Sequence, residues 1–293
     1  MVSTVDTAPH IVDPKNPGAV DEIIHLGDHW EEQGLRANKS EILELNKEVN
    51  RLFQRAYSYL RAAKIFLDEV ESYYYDSGAL DFAALNKLAL DVIHDIFTGR
   101  PVLHRKPKDR HLFATAITPD GAINYIETIV GNLQKRYIIK GDDGTGKSTL
   151  IQRIADAALM HGYDIEAYHC ALEPDKLDHV VIPALSVAVV TEVEPHYYEP
   201  KKNDQVINTM SYLRVNLNDD FAGERRTARE MYRQSFNHAV QFLARAKHAH
   251  DEMERFYVPN MKFNEINARR QEILERILKL AEDRGSKKDL KEV

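Results

Sequence analysis

The sequence predicts an α/β fold, a parallel sheet between helical layers extended by two helical hairpins. Three observations predict it. A short apolar run ending at Lys140 is followed by a loop with three glycines and then by an apolar pattern of helical period. Further strand-like runs at 112–117, 164–170 and 186–190 are spaced by helical stretches. Two long amphipathic segments, each followed by a second helix, match one another in sequence.

Residues 1–6 read as a strand remnant, and 8–30 as a Pro-containing stretch with a short helix near Val20 to Leu26. Ser40 is placed to cap a long helix to about Tyr74, because Ile42, Leu45, Val49, Leu52, Ala56, Leu60, Ala63 and Leu67 keep helical spacing. A second helix, Phe82 to Phe97, is closed by Gly99, and the basic, Pro-containing segment after it is a linker. Leu112 to Ile117 is a strand, Thr118-Pro119-Asp120-Gly121 a turn, and Ala122 to Leu133 a helix. Tyr137 to Lys140 is the strand that feeds the glycine loop. Leu150, Ile151, Ile154, Ala155, Ala158 and Leu159 carry the next helix to His161-Gly162. Gly223 to Tyr257 and Phe263 to Asp283 form the second hairpin. The expected division is therefore a core remnant at 1–31, a hairpin at 32–100, a linker at 101–110, a core at 111–203 and a hairpin at 204–293.

Composition narrows the partners. The chain has 293 residues, 43% hydrophobic and 29% charged, which is ordinary for a globular protein with a real core. A net charge of −7 argues against a general nucleic-acid or membrane-surface role. The longest apolar stretch, near Val180 to Val190, is too short to span a bilayer and contains Pro183. The first residues lack a signal peptide's basic start and apolar core, and the single Cys170 excludes an internal disulfide, so a cytoplasmic protein is expected.

The loop, Gly141-Asp142-Asp143-Gly144-Thr145-Gly146-Lys147-Ser148, fits the phosphate-binding pattern G-x-x-x-x-G-K-[ST] without a mismatch. Its glycines let successive N–H groups turn inward toward a polyphosphate, and the following helix adds its positive end. Residues 141–149, Thr149 included, are thus expected to bind ATP or GTP within a P-loop NTPase three-layer core. Lys147 would reach the β and γ phosphates and neutralise charge on the transferred group, and Ser148 would offer its hydroxyl to Mg²⁺. Such sites place an acid at the end of a neighbouring strand, and Glu192, just beyond Val187–Val190, is the expected second magnesium and catalytic residue. Asp142 and Asp143 are either solvated loop acids, or contact the metal or act as base.

The chain also repeats itself. Pro9-His-Ile-Val-Asp-Pro-Lys15 matches Pro195-His-Tyr-Tyr-Glu-Pro-Lys201. After a short gap Leu60, Ala63, Lys64, Asp68, Glu69, Glu71 and Tyr74 align with Leu243, Ala246, Lys247, Asp251, Glu252, Glu254 and Tyr257, and Phe82 with Phe263. Asp6 falls near the place of Glu192 and His10 on that of His196. Only the second copy carries the glycine loop.

Four segments, 8–30, 111–121, 141–150 and 168–183, resemble an uncharacterised group of bacterial ATPase-like, ATP-binding proteins. These are tandem duplications in which each half has a P-loop core and a helical extension. The resemblance covers nearly the whole chain. It implies an N-terminal truncation that removes the first copy's loop, and it implies no particular reaction. Loops of that group more often read Gly-Pro where this chain has Asp142-Asp143.

The remaining candidates are weaker. His169, Cys170, Asp175, Asp178 and His179 cluster around a strand end, where an acceptor substrate is more natural than a metal because adjacent strand residues face opposite ways. Tyr73-Tyr74-Tyr75 and Phe256-Tyr257 read as aromatic packing. Two readings follow: a Mg-dependent NTPase, with a small-molecule kinase as a sub-case, or a nucleotide-responsive scaffold whose hairpins bind a protein partner or self-associate.

Overall fold

The computed structural model describes residues 13–214 and 221–289, with side chains described through residue 282. The expected strand at 1–6, Asp6 and His10 lie outside the described residues. Among the described residues, 48–248 form one compact unit, and the segments 13–47 and 249–289 belong to another. The described helices are α1 (Glu32–Ala37), α2 (Lys39–Asp76), α3 (Phe82–Phe97), α4 (Ile126–Val130), α5 (Lys147–Met160), α6 (Ala222–Tyr257) and α7 (Phe263–Asp289). The long helix α2 begins before Ser40, which is therefore inside it. Among the described helices none is long and apolar enough to cross a membrane.

The larger unit is mixed α/β. Its main sheet has six strands: β1 (Asp109–Phe113), β4 (Lys135–Lys140), β5 (Ile165–His169), β6 (Leu177–Ile182), β7 (Val187–Glu192) and β8 (Gln205–Asn208), in the order β1-β5-β6-β7-β4-β8. A separate hairpin pairs β2 (Thr115–Thr118) with β3 (Gly121–Asn124). The expected all-parallel sheet is corrected: β6 runs antiparallel to β5 and β7, while the β1–β5, β7–β4 and β4–β8 pairs are parallel. The cause is local. Only Pro183 to Ser186 separates β6 from β7, in a tight 3-10 turn, whereas a parallel return needs a crossover of about a dozen residues or more. The helix expected at 122–133 also starts later. Gly121 closes the Thr-Pro-Asp-Gly turn at φ 99°, so Ala122 and Ile123 pair back onto Ile117 and Ala116 before α4 begins.

Strand parity distributes the core. Tyr137, Ile139, Val180, Ile182, Val187 and Val189 face α5 and α3, which contribute Ile151, Ile154, Ala158, Val92 and Ile96. Ile138, Val181, Ala188 and Val190 face α4, through Ile126 and Val130, and Tyr198. Asp95 ties α3 to β4, accepting from Lys135 Nζ at 2.6 Å and the Tyr137 hydroxyl at 2.7 Å.

Ala56, Ala63 and their repeat equivalents Ala239 and Ala246 are all fully buried, and Tyr59 stacks on Phe242 with ring centroids 5.6 Å apart. One buried ion pair organises the approach to β8. Arg136 Nε donates to Asp204 Oδ1 at 2.7 Å, and its Nη1 donates to the carbonyls of Val130 and Leu133 at 3.1 and 2.6 Å. Removing one partner strands a buried charge. Arg136→Ala is therefore expected to lower the unfolding free energy by about 3–5 kcal/mol, read from urea midpoints.

In the smaller unit, Trp30 and Met261 form an isolated bridge, and Trp30 meets Tyr257 edge-on at 5.9 Å. His29 Nδ1 lies 3.0 Å from Glu265 Oε2. Glu22 pairs with Arg269 at 3.0 Å and with Arg276.

Candidate functional site

The 141–149 loop joins β4 to α5 at the carboxyl end of the sheet, where open α/β sheets bind ligands. Its shape requires glycine at two close approaches. A Cβ on Gly141 would lie 2.0 Å from Thr209 Oγ1, and one on Gly144 would lie 2.8 Å from Glu71 Cα of α2. Gly146, at φ 89°, is the N-cap of α5. Thr145 is fully buried: its hydroxyl donates to the Asp142 carbonyl at 2.7 Å and lies 2.7 Å from the Thr209 hydroxyl. Thr209 in turn donates to the Lys140 carbonyl at 3.0 Å. Thr145 and Gly141 shape the loop from beneath.

Lys147 curls back over the loop. Its Nζ donates to the carbonyls of Gly141 at 2.9 Å and Asp142 at 2.6 Å, and lies 3.9 Å from Asp143 Oδ1. Burial holds its pKa below the usual lysine value, although Asp143, Glu71, Asp142 and Asp178 oppose that shift.

A cavity of about 450 Å³ opens above the loop. Its floor includes Asp142, Asp143, Gly144, Gly146, Lys147, Ser148 and Thr149. Its walls come from α2 through Val70, Glu71 and Tyr75, from α6 through Arg229, Tyr232 and Arg233, and from the segment 170–178. Ser148 sits in the first turn of α5, where backbone N–H groups have no partner within the helix, and lines this space.

The loop acids have partners that the sequence did not reveal. The Tyr74 hydroxyl of α2 donates to Asp142 Oδ2 at 2.8 Å, and burial and that carboxylate push its pKa up. Arg229 Nη2 of α6 lies 3.8 Å from Asp142 Oδ2 and 3.9 Å from Asp143 Oδ2. Lys176 fastens the 170–178 wall to α2, donating to Glu71 at 2.6 Å and Glu173 at 2.8 Å. The loop is thus clasped by both long helices.

Glu192 lies elsewhere. It shares the parity of Ala188 and Val190, which face away from α5, and its Oε2 pairs with Lys140 Nζ at 3.0 Å. It does not line the cavity; its neighbour Thr191 does. Asp178, at the start of β6 where a bulge shifts the register with β5, does line the cavity, as do Glu71, Glu173 and Glu194. Burial raises its carboxyl pKa, but His196 and His179 outweigh that and hold it below the usual range. His196 Nε2 is 2.9 Å from Asp178 Oδ2, off the direction of an aligned hydrogen bond. Cys170 also lines the cavity, its thiol pushed up to about 12 by burial and by Asp178. Asp175 is exposed, and His169 pairs with His111 at 2.7 Å beside β1, so the cluster expected at 169–179 is divided. Asp178 was within reach of sequence reasoning: Pro183 splits the apolar run into two strands and gives Asp178 a strand position.

His179 beneath this site is fully buried, its Nδ1 accepting from Thr191 N–H at 3.2 Å. Burial first, then neighbouring His196, push its pKa from 6.5 down to about 3, against the opposing charge of Asp178. Between those values the unfolded chain takes a proton that the folded chain refuses, so stability falls on acidification below about pH 6.5. The expected contribution approaches about 1.4 kcal/mol per pH unit near pH 5, and His179→Gln should remove it from urea midpoints measured at pH 5 and pH 7.

No protein-family model, curated protein or solved structure matches the chain.

Proposed function

We propose that the chain binds MgATP or MgGTP in this cavity and hydrolyses it or transfers its terminal phosphoryl group, as a P-loop NTPase. One observation carries the reading: a buried ammonium, Lys147, bent over a loop held open by glycines at the start of a helix. The carbonyls it now touches are exchangeable partners, and a polyphosphate is the stronger acceptor for a desolvated cation. The loop N–H groups and the start of α5 supply further donors.

Magnesium fits the donor chemistry, because Ser148 lines the cavity and hard oxygen donors suit this ion. Bound there, it would offset phosphate charge. Asp178 is the carboxylate placed to accept a proton from attacking water or from an acceptor hydroxyl, with His196 beside it. Arg229 and Arg233 bring guanidinium groups to the same space, where charge develops on the transferred group. Steady-state formation of ADP from MgATP and GDP from MgGTP, with and without candidate acceptors, tests this reading. Turnover supports it, and its absence at saturating nucleotide counts against it.

The clasp on Asp142 and Asp143 favours a second reading, a nucleotide-responsive scaffold. An arriving polyphosphate competes with both acids for Arg229, so binding should alter how α6 is held. Hydrogen exchange across α6 is expected to change on nucleotide addition, and Arg229→Ala should erase most of that change while leaving some binding. An α6 indifferent to nucleotide removes this reading.

A further inference from the structure

The backbone repeats an arrangement that the sequence alignment only hinted at. In the larger unit, Arg214 N–H donates to Ala79 O at 2.7 Å and Asp81 N–H to Tyr212 O at 3.3 Å, flanking the bridge between Leu80 and Leu213. In the smaller unit, Glu31 N–H donates to Asn260 O at 2.8 Å and Lys262 N–H to His29 O at 2.9 Å, flanking the bridge between Trp30 and Met261. The register that places Leu60 on Leu243 places His29, Trp30 and Glu31 on Tyr212, Leu213 and Arg214. The register that places Phe82 on Phe263 places Ala79, Leu80 and Asp81 on Asn260, Met261 and Lys262. The same two hydrogen bonds are therefore made twice, each time between opposite copies. The 3-10 turns Leu26–His29 and Thr209–Tyr212 coincide as well.

What surrounds the two bridges differs. In the larger unit β8 follows β4 in parallel and buries Ile207 to 6% exposure, while α3 packs on α5 and buries Phe97 to 6%. The equivalent residues of the smaller unit are Ile24, 41% exposed, and Leu278, 53% exposed. Ile273 and Ile277 stand where α3 has Val92 and Ile96, yet no described side chain of α7 is buried. Glu254 and Tyr257 occupy the positions of Glu71 and Tyr74, which hold the glycine-loop side of the larger unit.

We propose that the smaller unit is a docking cradle for a second glycine-loop core, built like residues 109–200 and open at the edge of its loop-bearing strand. Residues 22–25 add to that edge in parallel, as β8 adds to β4. The Ile273, Ile277 and Leu278 face of α7 covers its loop helix, as α3 covers α5. Both terms are ordinary: an unpaired strand edge gains a ladder, and a half-exposed apolar stripe leaves water.

The test is an extended chain in which residues 109–200 are repeated directly ahead of Lys15, compared with the native chain by hydrogen exchange. Amides of 22–25 are expected to exchange more slowly by on the order of tenfold or more, together with those of α7. Ile277→Asp in the extended chain should reverse both effects, while in the native chain it leaves the melting temperature unchanged. Equal exchange at 22–25 in the two chains overturns the proposal. So does an added core that stays unfolded, because core and cradle are the combination that folds in residues 48–248. Sedimentation of the native chain as a dimer that Ile277→Asp disperses would give the face to self-association and overturn it too.

Discussion

Lys147→Ala is expected to weaken ATP and GTP binding by about 2–5 kcal/mol, about thirtyfold to several thousandfold. Lys147 is the cation at the centre of the loop, buried and held by carbonyl oxygens. Without it the polyphosphate meets Asp142 and Asp143 with only Arg229 and the loop N–H groups to offset their charge. Fluorescent-nucleotide titration checks the affinity, and the near-ultraviolet circular dichroism of the variant checks that the fold persists. Affinity within a few-fold of the native chain would mean that the nucleotide does not use this loop.

Asp178→Asn is expected to lower turnover by about 10²–10⁴-fold while nucleotide affinity stays within a few-fold. The amide keeps the shape of the side chain and removes its capacity to take a proton. Glu192→Gln is the informative comparison. It removes a surface pair with Lys140, worth about 1 kcal/mol or less, on the sheet face away from α5, and turnover should persist. If Glu192→Gln abolishes turnover and Asp178→Asn does not, the choice of Asp178 over Glu192 is wrong.

These two acids show where sequence reading reaches its limit. The glycine loop, the helix after it and both helical hairpins were legible, because special backbone conformations and helical periodicity leave marks on local sequence. The parity of β7 left none. Val187, Ala188, Val189 and Val190 are all buried, so nothing in the run says which side faces α5, and Glu192 reads as well as Thr191. Asp178 stands among the residues that the sequence places around a strand end, but its own place in the site is not legible there. Leu177–Ile182 and Val187–Glu192 read as one apolar stretch interrupted by Pro183, and only the folded hairpin places Asp178 at the rim of the sheet. Strand β8, four residues with one buried side chain, carried too little pattern to be read. The partners of Asp142 and Asp143 were invisible because Tyr74 and Arg229 come from helices far away in the chain.

The proposed activity depends on one grip, that of the 141–149 loop and Lys147 on the anionic end of a nucleoside triphosphate. Isothermal titration calorimetry of the purified chain with MgATP and with MgGTP measures it directly. Saturable binding of at least one of them at one site per chain, lost in Lys147→Ala, is the expected result. Heats indistinguishable from dilution for both nucleotides at millimolar concentration would contradict it.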